Sequence, residues 1–115
     1  MKSIPVLPSL DLQRSADFYQ KYFDCTADWY DEYLVLGNQH FQFHLWKTTD
    51  HYLCINSGFY LKVDDVESMY QKLNIAGVIH PNGHLETKPW MMKEFAITDP
   101  DGNLIRIGQD MSVRS

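Results

Sequence analysis

The sequence predicts an α+β fold built from two successive βαβββ modules, and three observations support it. Strand-like and helix-like stretches follow one another in that order twice along the 115 residues. The two helix openings echo each other: Asp11-Leu12 leads into Tyr19-Gln20-Lys21, and Asp65-Val66 leads into Tyr70-Gln71-Lys72. The length suits one domain, and two units of about 50 residues fill it with no linker to spare. The expected organisation is a single domain over 1–115, with modules at about 1–54 and 55–110.

Each element has a local reason. Residues 4–8 are short, apolar and carry Pro5 and Pro8, which suits a strand near a sheet edge because proline cannot donate to a ladder. Asp11 can cap a helix whose Leu12, Ala16, Tyr19 and Phe23 share one face. Residues 26–30, 33–36 and 41–46 read as strands, with Gly37-Asn38 as the turn between the last two. Polar residues 48–52 read as a loop. Residues 58–63 form the next strand, with Phe59, Leu61 and Val63 on one face and Tyr60 and Lys62 on the other. Asp64-Asp65 opens a second helix with the stripe Val66, Met69, Tyr70 and Leu73, and Gly77 ends it. A brief strand at 78–80, a loop over 81–89, and strands at 95–98 and 104–107 follow, the last two joined by Asp99-Pro100-Asp101-Gly102. Residues 112–115 are expected to fray.

Composition excludes several functions. Apolar residues at 44% and charged residues at 22% support a buried core. A net charge of -5 with no Lys/Arg cluster offers no face for phosphates, so no nucleic-acid partner is expected. No apolar run approaches the roughly 20 residues of a membrane helix, and the first ten residues lack a secretory signal's apolar stretch. Cys25 and Cys54, without CxxC spacing, read as reduced thiols, consistent with cytoplasm. No GxSxG, Ser-Lys pair, Cys-His neighbour or phosphate-cradling glycine motif is present.

Leu10-Asp11-Leu12 with Phe18-Tyr19, then Val63-Asp64-Asp65-Val66, then Asp99-Pro100-Asp101-Gly102-Asn103 give the chain a family likeness over nearly its whole length. It resembles the vicinal-oxygen-chelate superfamily of glyoxalases, extradiol dioxygenases, fosfomycin-modifying enzymes and bleomycin-resistance proteins. Pro8-Ser9 and Pro89-Trp90 followed by Glu94-Phe95-Ala96 look like the bleomycin-resistance branch. The resemblance implies a glyoxalase/bleomycin-resistance-type fold whose sheets curl around a cleft. It also implies a homodimer, with exchange of the first strand between subunits left open.

The resemblance further implies where an enzyme of this superfamily would carry metal ligands. The His seven positions before each helix-opening Asp would fall on Ile4 and Gly58, and the Glu four positions after the Gly of DPDG would fall on Arg106. An aliphatic chain, a hydrogen and a fixed cation cannot hold a divalent ion, so no metal and no cofactor are expected. His40 and His44 lie about 13 Å apart along a strand, too far to chelate together.

Aromatic side chains are the remaining candidates. Tyr60 stands opposite the apolar face of its strand, Trp46 shares a face with His44 and Gln42, and Trp90 sits in a loop after Pro89. Trp90 matches the Trp of the bleomycin-resistance branch, and Tyr33 lies near an aromatic position of that branch, where aromatic rings sandwich the drug's planar bithiazole. Arg106 is expected to point inward, paired with Glu94 or holding a ligand's acidic group. The expected ligand-binding set is therefore Tyr33, Trp46, Tyr60, Trp90 and Arg106, with no catalytic residue. The function expected is metal-free sequestration of a bleomycin-like glycopeptide, or another planar aromatic compound, in clefts of a cytoplasmic homodimer. The alternatives are an enzyme of this fold with a displaced metal site using His44 and its neighbours, or with metal-free acid-base chemistry, and a regulatory or structural dimer with an empty cleft.

Overall fold

The computed structural model describes residues 1–112. It divides into two compact units: Met1–Ser57 with Asp99–Asn103, and Gly58–Thr98 with the chain from Leu104 onward. The break thus falls just past the expected 54/55 boundary, and the DPDGN turn belongs with the first unit.

The first unit contains β1 (Val6–Ser9), α1 (Leu12–Phe23), β2 (Thr26–Tyr30), β3 (Tyr33–Gly37), β4 (Gln42–Lys47) and α2 (His51–Ile55). The sheet runs β1-β4-β3-β2, with β1 parallel to β4 and the other pairs antiparallel. β1, which contains Pro8, lies on an edge, where a residue without an N–H is tolerated. Asp11 caps α1 by accepting the Arg14 N–H at 3.1 Å. The helix buries Ser15, Ala16, Tyr19 and Phe23, while the sheet buries Leu7, Leu34, Leu36, Phe43 and Leu45. Tyr19 meets Phe43 edge-on with ring centroids 4.8 Å apart. The loop after Gly37 spans 38–41, with Asn38 Oδ1 accepting the N–H groups of His40 and Phe41. Residues 48–52, expected as loop throughout, instead lead into the short α2, whose start Asp50 caps by accepting the Tyr52 N–H at 3.0 Å.

The DPDGN turn is a buried polar hub. Asp99 accepts the Tyr19 O–H at 2.6 Å, the Asp101 N–H at 3.0 Å, and the backbone and side-chain N–H groups of Asn103 at 2.9 Å each. Asp101 accepts both the Ser9 and Ser15 hydroxyls and pairs with Arg14. Asn103 also donates to Pro8 O at 2.9 Å, tying the turn to β1. Burial raises the Asp99 carboxyl and the Tyr19 phenol above their ordinary ranges; the hydrogen bonds pull Asp99 back down, whereas the Asp99 charge pushes Tyr19 further up.

The second unit contains β5 (Gly58–Lys62), α3 (Val66–Ile75), β6 (Glu86–Thr87), β7 (Met92–Thr98) and β8 (Leu104–Asp110), in sheet order β5-β8-β7-β6. Asp65 caps α3, and Gly77 ends it with φ 76°, a left-handed turn that a side chain would strain. Val66 and Leu73 are buried with Phe95, Ile97, Ile105 and Ile107. Two details differ from the sequence reading. Residues 78–80 make a single bridge, Ile79 to Ile97, and the fourth strand is β6, inside the expected 81–89 loop. β7 and β8 each run three residues longer than expected. Of the tail expected to fray, Ser112 is bonded to Asp110, and residues 113–115 lie outside the described residues.

Candidate functional site

Strand alternation leaves each sheet one face away from its core, and the candidate residues fall on those two faces. In the first unit Phe43 and Leu45 point to the core, so Gln42, His44 and Trp46 take the open face. Register then sets Tyr33 between Tyr30 on β2 and Trp46 on β4, an aromatic row across three strands. Tyr30 and Trp46 are exposed and Tyr33 half-buried. His44 links this row to polar groups: Tyr33 Oη lies 2.8 Å from its Nδ1, and Gln42 Nε2 donates to its Nε2 across 2.9 Å. An Nε2 that accepts leaves Nδ1 as the protonated nitrogen of the neutral ring. In that tautomer Nδ1–H faces Tyr33 Oη.

In the second unit Tyr60 and Arg106 face each other across β5 and β8 on the open side, as their alternation predicts. Their partners are not those expected. Tyr60 donates to Glu94 Oε2 at 2.5 Å, a length typical of a hydroxyl on a charged carboxylate. Burial, then this bond and the Glu94 charge, push the Tyr60 phenol well above its usual range, while Arg106 pulls the other way. Arg106 was expected to point into the cleft, paired with Glu94 or another acid or holding a ligand's acidic group. It is exposed and makes no ion pair among the described residues, while Glu94 accepts the phenol.

The contact runs over Gly108, where a Cβ would stand 2.0 Å from Tyr60 Oη. Sequence reasoning weighed Glu94 as a partner for Arg106 but missed this bond. The available signal was a glycine between Lys62 and Glu94 in the ladder.

Trp90 does not join Tyr60 and Arg106. It is exposed at the tip of the β6–β7 hairpin, where Met91 N–H closes the turn onto Lys88 O at 3.0 Å. Four steps along β7, roughly 13 Å, separate Met92 from Ala96, the register partner of Arg106.

A family model described as the Glyoxalase/Bleomycin resistance protein/Dioxygenase superfamily matches residues 5–107. The chain belongs to this superfamily. Bleomycin resistance proteins of Geobacillus stearothermophilus and Staphylococcus aureus are each 26% identical to it, over 96% of this chain and 98% of theirs. Among solved structures, a bleomycin resistance determinant encoded on the transposon Tn5 has a TM-score of 0.81 at 23% identity, over 96% of this chain and 98% of that one. A bleomycin-binding protein complexed with bleomycin has a TM-score of 0.79 at 24% identity, over 95% and 98%. Both carry the α+β fold of two βαβββ modules that the sequence predicts.

The superfamily's enzymatic ligand positions can be tested on this backbone. Ile4 lies two residues before β1 and offers only carbon. At Gly58, which pairs with Leu104, a Cβ would stand 2.1 Å from Leu104 O. No side chain of any kind fits there, so the backbone itself, and not the residue type alone, rules out an imidazole. Arg106 brings a positive charge. These three positions do not fit a divalent ion. Among the described residues, no group of three His, Cys, Asp or Glu side chains is placed to hold one elsewhere. No helix among the described residues is long and apolar enough to cross a membrane.

Proposed function

We propose that this protein binds and sequesters a bleomycin-like glycopeptide, or another planar aromatic compound, without transforming it. The observation that carries this reading is the Tyr30–Tyr33–Trp46 row, whose rings lie on an open sheet face instead of in the core. Exposed aromatic rings give a flat ligand stacking area at little cost in side-chain entropy. The Tyr33 hydroxyl, held beside His44 Nδ1, adds a polar contact at the row. The relatives named bleomycin resistance protein, aligned over nearly the whole chain, support the ligand class. Tyr60, Trp90 and Arg106 are proposed as further contacts from the second module. Self-association into a homodimer, with clefts drawing on both subunits, is part of the same proposal and suits a chain whose cores are small.

Titration with bleomycin, followed by tryptophan fluorescence, tests the reading. Quenching should saturate, and the drug should be recovered unmodified. Trp46→Ala should weaken binding by about 1–3 kcal/mol, roughly 5- to 150-fold, and Trp90→Ala by no more than that. A folded protein whose fluorescence never responds to the drug, or a drug recovered chemically altered, would overturn sequestration. Sedimentation equilibrium tests the dimer separately.

A further inference from the structure

The second unit also holds a small cleft that stacking on aromatic rings does not explain. It encloses about 240 Å³, and His80, Glu94, Phe95, Ala96, Leu104 and Arg106 are among the residues lining it. Its wall is pre-organised. His80 N–H donates to Ala96 O at 2.8 Å, Ala96 N–H donates to Gly83 O at 2.9 Å, and Gly83 N–H closes the turn onto His80 O at 2.8 Å. A Cβ on Gly83 would stand 2.7 Å from that of Ala96, so this loop lies as close to β7 as backbone allows. His80 Nδ1 accepts the Asn82 N–H at 3.0 Å, which puts the proton of the neutral ring on Nε2 as a donor.

Three charged side chains line the cleft: Lys88, which pairs with Glu86, and Arg106 and Glu94, which do not meet each other. Arg106 and Glu94 sit on neighbouring antiparallel strands, on the same face and one diagonal step apart. Such a pair ordinarily closes into a charge-assisted contact. Here Glu94, only 6% exposed, is held by the Tyr60 hydroxyl, and that hold requires a residue without a Cβ at 108. Arg106 is left with a planar fork of donors and no anion.

We propose that this cleft binds a small zwitterion of the α-amino-acid pattern. The carboxylate would lie on Arg106 with the His80 Nε2–H beside it, and the ammonium on Glu94. A volume below the roughly 300–1,000 Å³ of drug-sized pockets suits a guest of that size. Phe95, Ala96 and Leu104 leave an apolar wall for a short aliphatic side chain. The inference goes beyond the drug-binding reading and stands whether or not bleomycin binds.

The test is nuclear magnetic resonance of the full chain, following the Arg106 Nε–H and Ala96 amide signals during titration with L-leucine, isovalerate or isoamylamine. L-leucine should give saturable shifts and bind at least about tenfold more tightly than either half-molecule. Arg106→Gln, at an exposed position, should remove that preference while keeping the amide spectrum of the fold. Tyr60→Phe should free Glu94 to pair with Arg106 and weaken L-leucine by about tenfold or more. The proposal is overturned if L-leucine gives no saturable shift, if isovalerate binds as tightly, or if Arg106→Gln binds like the parent.

Discussion

The two open sheet faces share a frame and differ in chemistry. In the first unit that face carries Tyr30, Tyr33, His44 and Trp46; in the second it carries Tyr60, Glu94 and Arg106. The opposite faces hardly differ, with Leu34, Leu36, Phe43 and Leu45 in one core and Phe95, Ile97, Ile105 and Ile107 in the other. Because successive side chains on a strand point to opposite faces, a module can keep its packing and change its recognition chemistry by altering alternate residues only. One face can then offer flat rings and the other separated charges.

The frames are not secured alike, and this is where the comparison is easiest to break. The first unit has the buried Asp99 hub, whereas the second relies on apolar packing under α3, which buries only Val66 and Leu73. Asp99→Ala removes the acceptor of four donors in a 5%-exposed position. At about 1–3 kcal/mol for each buried donor left without a partner, the loss should be about 4 kcal/mol or more. Urea denaturation measures it, and a loss below about 1 kcal/mol would show that the hub is not what secures the first unit.

The hub also predicts an alkaline weakness. An unfolded tyrosine ionises near pH 10, while the folded Tyr19 phenol, desolvated and facing Asp99, keeps its proton to higher pH. The stability this lends is complete below about pH 10 and lost as pH rises beyond it. Denaturation midpoints should therefore fall above pH 10, and Tyr19→Phe should flatten that fall. Tyr60, raised in the same direction, should add a smaller share because the residue is 42% exposed.

In the second unit the corresponding weak point is Gly108. Gly108→Ala places a methyl where the Tyr60 hydroxyl lies, and overpacking of this kind costs about 1–3 kcal/mol. Its more telling signature is a downward move in the Tyr60 phenol titration, followed by phenolate absorbance, because the bond to Glu94 is lost. An unchanged titration would mean that Glu94 does not hold the phenol.

What the sequence made legible follows the range of the forces involved. Asp11 and Asp65 mark their helices because capping is decided within three residues, and Tyr60 could be placed on the open face from alternation alone. β6 was not legible: two residues within a Gly- and Pro-containing loop carry no periodicity, and only pairing with β7 makes them a strand. Asp50 can cap a helix, but α2 has only five residues, too few to declare an amphipathic stripe. At the site, residue types were readable and partners were not. Whether Glu94 meets Arg106 or Tyr60 depends on the β5–β8–β7 register and on the missing Cβ at 108, both set by long-range pairing.

The smallest effect sharpens the comparison by asking whether the two modules are equivalent where their sequences match best. Asp11 Oδ1 accepts the Arg14 N–H and Asp65 Oδ1 accepts the Ser68 N–H, each at 3.1 Å and each three residues into the helix. Removing either acceptor leaves one first-turn N–H to water, so Asp65→Ala and Asp11→Ala should each cost about 1 kcal/mol. Asparagine at either position should restore most of that, since its amide oxygen accepts the same bond. Paired urea melts of the four variants decide the point. The Ser9 hydroxyl, itself tied to Asp101, accepts the Asp11 backbone N–H at 3.2 Å, a bond that alanine at 11 keeps. Equal losses at the two positions would therefore mean that the caps contribute alike, with the link between the first helix and the polar hub left intact.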